Sequence, residues 1–287
     1  CLGALLQRIE AAGELARTVI VVSGDHGFPG VPSGKCNLYS HGTSVPLVVR
    51  WPGGTPGRIA DDFVCLPDLC PTFLDIAGVP HPAGLDSRSI LPLLTAETGG
   101  LIDPSRTAVI TGRERHVAEA RDACLPYPMR ALHTADFLYI RNFAPERWPM
   151  GAPFAAEAPL DTLSVEELEH NTRYAFPDLD ASPTKAWVVL NRESESGRRH
   201  YALAFAKRPA EELYDLRKDR DQLNNVVADP AYAAARARMA DDLTARLKAA
   251  GDPRVCQNPI PFEQPPFTDP PAKKAPKRPV GAPLAPR

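Results

Sequence analysis

The sequence predicts an α/β protein with a smaller antiparallel α+β unit toward its C-terminus. Three features carry that prediction. Residues 2–16 place Leu2, Leu5, Leu6, Ile9 and Leu15 near helical spacing, and a β-branched run, Thr18–Val22, follows at once. A helix leading tightly into a strand is the pattern of a parallel α/β sheet. A second apolar run, Val45–Val49, reads as another buried strand, stopped by Trp51-Pro52-Gly53-Gly54. Beyond residue 105 the texture changes to short strand-like runs between polar loops.

The first helix opens without a capping residue, which a helix of this quality normally has. The chain is therefore expected to begin inside a helix and to be part of a longer protein. Gly13 loosens its last turns, and the strand at 18–22 follows. The stretch from Gly27 to Thr43 is a loop rich in glycine and proline. Asp68 reads as the N-cap of a short helix over 69–77, with Pro71 in its first turns and Gly78 past its end. Residues 80–106 read as loop around an apolar patch, Leu91–Leu94.

Past residue 105, four runs read as strands: Thr107–Thr111, Phe137–Asn142, Ala186–Leu190 and Tyr201–Ala206. Ser164-Val165-Glu166-Glu167 fits a capping box for a helix near 164–172. Asp229-Pro230 opens the clearest helix, with an apolar line through Tyr232, Met239, Leu243 and Leu247 and Gly251 at its end. From about 258 the chain is proline-dense and then basic, a composition expected to stay disordered. The expected division is thus 1–104, 105–257 and a tail, 258–287.

Composition narrows the function. A length of 287 residues can bury a large core, and a net charge of -2 argues against a globally basic nucleic-acid binder. No apolar run approaches the roughly 20 residues of a membrane helix. Cys1, Cys36, Cys65, Cys70, Cys124 and Cys256 lack metal-finger spacing and read as free buried thiols. No basic segment followed by an apolar core marks a signal peptide.

The chemistry concentrates in Ser23-Gly24-Asp25-His26-Gly27, at the end of the first strand. Glycines on both sides let the backbone turn, so a carboxylate and an imidazole can reach one ion. The plain alternative is that Asp25 caps the turn and His26 is an incidental loop residue. Lys35, in Pro32-Ser33-Gly34-Lys35, can neutralise a bound sulfate or phosphate, or be an exposed loop lysine. It is no Walker loop, because Cys36 follows and no helix does. His41, close to Tyr39, could act as acid, base or anion donor, or simply precede a strand. Arg113-Glu114-Arg115-His116 reads as an anion-recognition cluster or as a solvated charge run. No G-x-S-x-G elbow and no G-x-G-x-x-G after a strand are present.

Taken together, these residues resemble the sulfatase family of the alkaline-phosphatase-like superfamily. The ordered signature is Ser-Gly-Asp-His-Gly after a strand, Lys35 ten positions on, Leu38-Tyr39, the segment from Val45 to Gly53, and Leu66 to Asp75. The sulfamidase, or heparan N-sulfatase, subgroup is the nearest likeness. It rests on Pro32 to Tyr39, Tyr127-Pro128-Met129-Arg130, Glu212 to Leu216 and Asp252 to Cys256. The resemblance runs from the first residue to about 258 and covers the C-terminal part of such an enzyme. It implies an alkaline-phosphatase-like α/β sandwich sheet over 1–104 and the smaller α+β subdomain over 105–257.

The resemblance also implies roles. Asp25 matches a metal aspartate, and His26 stands where the family has Asn or His and the sulfamidases have Asn. Lys35 falls on the basic position that contacts the sulfate. Arg115 and His116, and His41 more remotely, fall where the substrate pocket is lined. The implied cofactors are a divalent cation, calcium first with zinc or magnesium as alternatives, and a formylglycine made within C/S-x-P/A-x-R. None of the cysteines has that context: Cys65-Leu66-Pro67-Asp68-Leu69 lacks the arginine and Cys70 is followed by proline. The formylglycine is expected upstream of Cys1.

The expected function is hydrolysis of a sulfate ester or N-sulfate on a glycosaminoglycan sugar, by a fragment inactive on its own. A phosphate-ester hydrolase or phosphotransferase of the same superfamily and a non-catalytic binder of sulfated glycan are the other readings. The expected partner is a sulfated sugar, without nucleic acid or membrane span. A homodimer is possible, and the family points to a periplasmic or extracytoplasmic location.

Overall fold

The computed structural model describes residues 1–265. In chain order the elements are α1 (Leu2–Ala11), β1 (Ile20–Ser23), α2 (Ser40–Thr43), β2 (Leu47–Arg50), α3 (Leu69–Ala77), α4 (Leu91–Thr95) and β3 (Ala108–Arg113). They continue with β4 (Met129–Thr134), β5 (Phe137–Asn142), α5 (Val165–His170), α6 (Pro183–Leu190), α7 (Glu195–Phe205), β6 (Glu211–Asp215), α8 (Ala233–Ala249) and α9 (Pro253–Cys256).

Strands β3 to β6 form a four-stranded antiparallel meander in sequence order, with Ile110 opposite Leu132, Leu132 opposite Tyr139 and Tyr139 opposite Leu213. Alternation along the strands sends Leu132, Phe137, Tyr139 and Leu213 to one face, where Met239, Leu243 and Leu247 of α8 cover them. Met129, Ala131, Leu138 and Ile140 point the other way. That second face is covered by Leu38 and Tyr39, which come from the loop between β1 and β2. A third core gathers Leu168 of α5, Val189 of α6 and Phe205 of α7, with Phe176 stacked on Phe205 at 3.9 Å.

Several expectations hold in detail. Helix α3 ends at Gly78 with φ 66, the left-handed stop that glycine supplies. Ser164 caps α5 by accepting from the Glu167 amide, although its own amide donates to the Tyr174 hydroxyl rather than to Glu167, so the expected capping box is half made. Asp229 accepts from the Ala231 amide ahead of α8, and Met239, Leu243 and Leu247 are buried as the apolar line requires.

Other expectations are corrected. Strands β1 and β2 pair with each other antiparallel, not as neighbours in a parallel sheet. Neither is buried: Val22 and Val48 are exposed, as are Leu2 and Leu5 of α1 and Phe73 and Ile76 of α3. The runs at 186–190 and 201–206 are helical, in α6 and α7. Ser182 and Ser194 start those helices by accepting from the Lys185 and Gly197 amides, and Pro183 occupies the first turn of α6. A short apolar run alone does not distinguish a helix from a strand; the cap and the proline decide it here. Leu91–Leu94 belongs to the short helix α4 rather than to loop. The six cysteines are free, but none is fully buried. The proline-dense tail lies outside the described residues from 266 on. Its first part carries a turn at Pro261–Glu263, where Glu263 pairs with Arg254 at 2.6 Å and Arg147 at 3.0 Å.

Asp68 does not cap α3. Its carboxylate accepts from the Cys65 amide at 3.2 Å, the Arg88 amide at 3.0 Å and the Arg106 guanidinium at 2.8 Å. Arg106 also donates to the carbonyls of Phe63, Arg88 and Ser89. Both side chains are almost fully buried, so this pair fastens residues 63–106 around α3. Removing one member of a buried pair strands the other charge away from water. Asp68→Ala is therefore expected to cost about 3–5 kcal/mol, measured by urea unfolding as a lower midpoint at unchanged slope.

Candidate functional site

Strand β1 ends at Ser23, and the next residues turn the chain back beneath the segment at 41–42. The Gly27 amide donates to the Gly42 carbonyl at 3.2 Å and the Phe28 amide to the His41 carbonyl at 3.0 Å. The crossing is tight: a Cβ on Gly27 would sit 2.0 Å from the His41 carbonyl oxygen. Glycine is thus required here by contact rather than by dihedral angle.

The turn presents Asp25 and His26 together. His26 Nδ1 lies 2.8 Å from the Gly27 carbonyl, which can only accept, so Nδ1 carries a hydrogen and, in the neutral ring, Nε2 is the nitrogen with the lone pair. Nε2 is 3.7 Å from Asp25 Oδ1, and the Asp25 side chain is 90% exposed. An imidazole anchored through one nitrogen by a carbonyl, with the other left free, is the usual arrangement of a metal-binding histidine. A 3.7 Å separation is one that two ligands of a single cation can have. The pair fits part of a cation's shell. Among the described residues no cluster of three or more His, Cys, Asp or Glu side chains is placed to complete it.

Lys35 sits between two backbone reversals. Ser33 and Cys36 both take left-handed conformations, φ 57 and φ 74, which non-glycine residues adopt only when their surroundings impose them. Those surroundings are visible. The Lys35 amide donates to the Phe28 carbonyl at 2.8 Å, and Arg113 donates to the Cys36 carbonyl at 2.5 Å. The ammonium of Lys35 meets the Asp180 carboxylate at 3.1 Å, across 145 residues of sequence. Burial pushes the Cys36 thiol up to about 12, so it stays protonated and unreactive at neutral pH.

Asp25, His26, Lys35, Arg113, Arg115 and His116 line one open groove of 1330 Å³. His41 does not belong to its wall. It braces the turn through its backbone, and its ring packs edge-on against Phe28. Tyr39 is buried and donates to Glu212 at 2.7 Å, a packing role.

The cluster at 113–116 divides. Arg113 is buried and donates to the carbonyls of Cys36 and Pro149. Glu114 binds Arg130 at 2.8 Å and also pairs with Arg254. Arg115 donates to the Cys124 carbonyl at 2.8 Å and the Phe262 carbonyl at 3.4 Å. Hydrogen bonding therefore commits the two arginines and the glutamate to protein partners, while His116 is exposed.

Sequence reasoning missed the loop that faces Lys35. Lys185, fully buried, donates to the carbonyls of Thr172, Phe176 and Leu179. Burial lowers its ammonium to about 8. Ser182 Oγ donates to the Gly30 carbonyl at 2.7 Å. Gly30 has φ 69, and a Cβ there would meet Ser182 at 2.8 Å. No local pattern signals that Asp180 and Ser182 meet residues 30–35.

Against known proteins, residues 1–79 match the family model described as Sulfatase. The human N-sulphoglucosamine sulphohydrolase is 29% identical over 265 residues, covering 88% of this chain and 46% of the relative. The chain is thus similar to sulfatases, and its first 79 residues match their family model. It spans less than half the length of the curated relatives it matches along most of its length. Two solved structures share the fold across 89% of the chain, each with a TM-score of 0.57. One, 20% identical and covered over 39%, is in complex with its substrate D-glucosamine-2-N,6-O-disulfate. The other, 18% identical and covered over 41%, is a 2-O GAG sulfatase. Among the described residues no helix is long and apolar enough to cross a membrane.

His116 reports on the groove. Its edge is open to solvent, yet desolvation by the surrounding wall pushes the imidazole below the usual histidine value. Asp178 and Asp180 pull it up, and Lys35 and Arg113 push it down. The fold therefore binds this proton more weakly than the unfolded chain does, and its contribution to stability falls as pH drops through the folded value. The expected NMR titration midpoint of His116 lies below that of an ordinary histidine, and Lys35→Ala raises it.

Proposed function

We propose that this chain carries the cation-binding pair and the anion-binding lysine of a sulfatase-type hydrolase acting on a sulfated sugar. The observation that carries the reading is the convergence of Asp25, His26 and Lys35 on one groove, in a chain related to sulfatases. The sugar class is supported by the human relative's name and by the disulfated glucosamine held in a protein of the same fold. The reading covers N-sulfates and O-sulfate esters alike.

In this reading Asp25 Oδ1 and His26 Nε2 hold the cation, calcium first, with zinc suited by the imidazole nitrogen. A divalent cation held there supplies fixed positive charge against the sulfuryl oxygens. Lys35 binds those oxygens too, and its loop is held in place before the anion arrives, so little reorganisation of the backbone is needed. Arg115 and His116 sit on the wall where the sugar enters. Residues 1–104 act as the catalytic portion and 105–257 as the supporting unit. An extracytoplasmic location and a homodimer belong to the same reading.

The nucleophile is a separate matter. The 287 residues contain no C/S-x-P/A-x-R sequence from which a formylglycine is made. Assayed by itself, the chain is therefore expected to release no sulfate from N-sulfoglucosamine or an aryl sulfate; measurable release overturns this. Joined to a sulfatase segment that carries the motif, it is expected to release sulfate faster than phosphate from the matching aryl phosphate. In that joined protein, Lys35→Ala lowers kcat/KM by about 10²–10³, and Asp25→Ala abolishes metal-dependent turnover. Faster phosphate release would favour a phosphate-ester hydrolase.

A further inference from the structure

We propose that Asp180 sets the charge selectivity of the anion site at Lys35, tuning it to singly charged sulfate esters and sulfamates and against doubly charged anions such as inorganic sulfate. The inference rests on the reading of Lys35 as the anion-binding residue and deepens it.

Three observations carry it. First, the Lys35 ammonium is already paired: Asp180 Oδ2 lies 3.1 Å away, and both side chains keep part of their surface open, 22% and 30%. An anion reaching Lys35 therefore also meets a carboxylate. Second, the backbone that carries Asp180 is fixed. The Ala181 amide is bound to Thr172 Oγ1 at 3.0 Å, and Ser182 is bound to the Gly30 carbonyl at 2.7 Å. The Lys185 ammonium draws the carbonyls of Thr172, Phe176 and Leu179 onto one point. The carboxylate thus projects from a fixed stretch of backbone toward Lys35. Third, the other positive charge nearby is fixed. The Arg113 guanidinium is buried and held by the carbonyls of Cys36 and Pro149, so it acts alike on an anion whether residue 180 is charged or neutral.

The consequence follows from charge. A sulfate ester or a sulfamate carries one negative charge at neutral pH, whereas free sulfate carries two. Phosphate monoesters carry about 1.5 to 2. Repulsion from a fixed carboxylate scales with the charge of the anion, so the penalty for a dianion is twice that for a monoanion. Binding constants respond exponentially, and the effect on the dianion is the square of the effect on the monoanion. Hydrolysis turns a monoanionic group into a dianion in the same place, so Asp180 weakens the hold on the product more than the hold on the substrate.

The test uses the 287-residue chain, titrated at neutral pH and fixed ionic strength with sodium sulfate and with sodium methyl sulfate. Binding is read from the backbone NMR shifts of Lys35 and Cys36. Asp180→Asn keeps the shape of the side chain and removes its charge. It is expected to tighten methyl sulfate about threefold and sulfate about tenfold. Asp180→Glu keeps the wild-type ratio of the two affinities. Equal changes for the two anions in Asp180→Asn, or no change in either, overturn the proposal. The underlying reading fails separately: if Lys35→Ala leaves both affinities as they were, Lys35 is not the anion site. Absence of binding by the wild-type chain and every variant overturns both.

Discussion

The site depends on the burial of Leu38 and Tyr39 in a core that belongs to another part of the chain. They cover one face of the β3–β6 meander, and the Tyr39 hydroxyl ends on Glu212, a carboxylate almost wholly shut off from solvent. Glu212 is also bound by Tyr214 and by Asn142, each at 2.7 Å. A buried carboxylate is tolerated only when such donors satisfy it. The loop that presents Lys35 is therefore nailed at its far end, and Arg113 and Ser182 hold its middle and its start. Left-handed residues at Ser33 and Cys36 persist because these fixings outweigh local preference.

Read this way, the division expected near residue 104 has a shared core running across it. The N-terminal portion supplies Asp25, His26 and Lys35, the side chains proposed to meet the cation and the anion. The C-terminal portion supplies the walls that keep them still. The pair β1–β2 has little core of its own, and an isolated two-stranded sheet is marginal in water. Its order at the Asp25 turn comes largely from contacts made by the loop that links its strands.

Much of the local structure was legible in the sequence. Caps and stops spoke clearly at Ser164, Asp229, Gly78 and Gly251, because their signals lie within a few residues of the element they bound. The Asp25-His26 turn was legible for the same reason. Strands β4 and β6 were not read as strands: Arg130 and His133 interrupt one, and Glu211 and Glu212 open the other. Their polar residues are satisfied by partners far away in sequence, such as Asp252 for Arg130 and Tyr39 for Glu212. The runs of α6 and α7 are too short for apolar pattern alone to separate helix from strand, and the serine cap before each marks the helix. The pairing of Lys35 with Asp180 was beyond any local pattern, since nothing near either residue refers to the other. The burial of Arg113 is likewise invisible in Arg113-Glu114-Arg115-His116, because burial is a tertiary property.

The hydrogen bond between Tyr39 and Glu212 spans 173 residues, and that distance has a genetic consequence. Residues at the beginning of the chain acquire their geometry from codons near its end. A premature stop before β6 would leave every candidate ligand translated and intact, yet with no floor to stand on. Lesions around residue 212 and lesions around residue 25 should therefore fall into one phenotypic class, although a linear map of the gene sets them far apart.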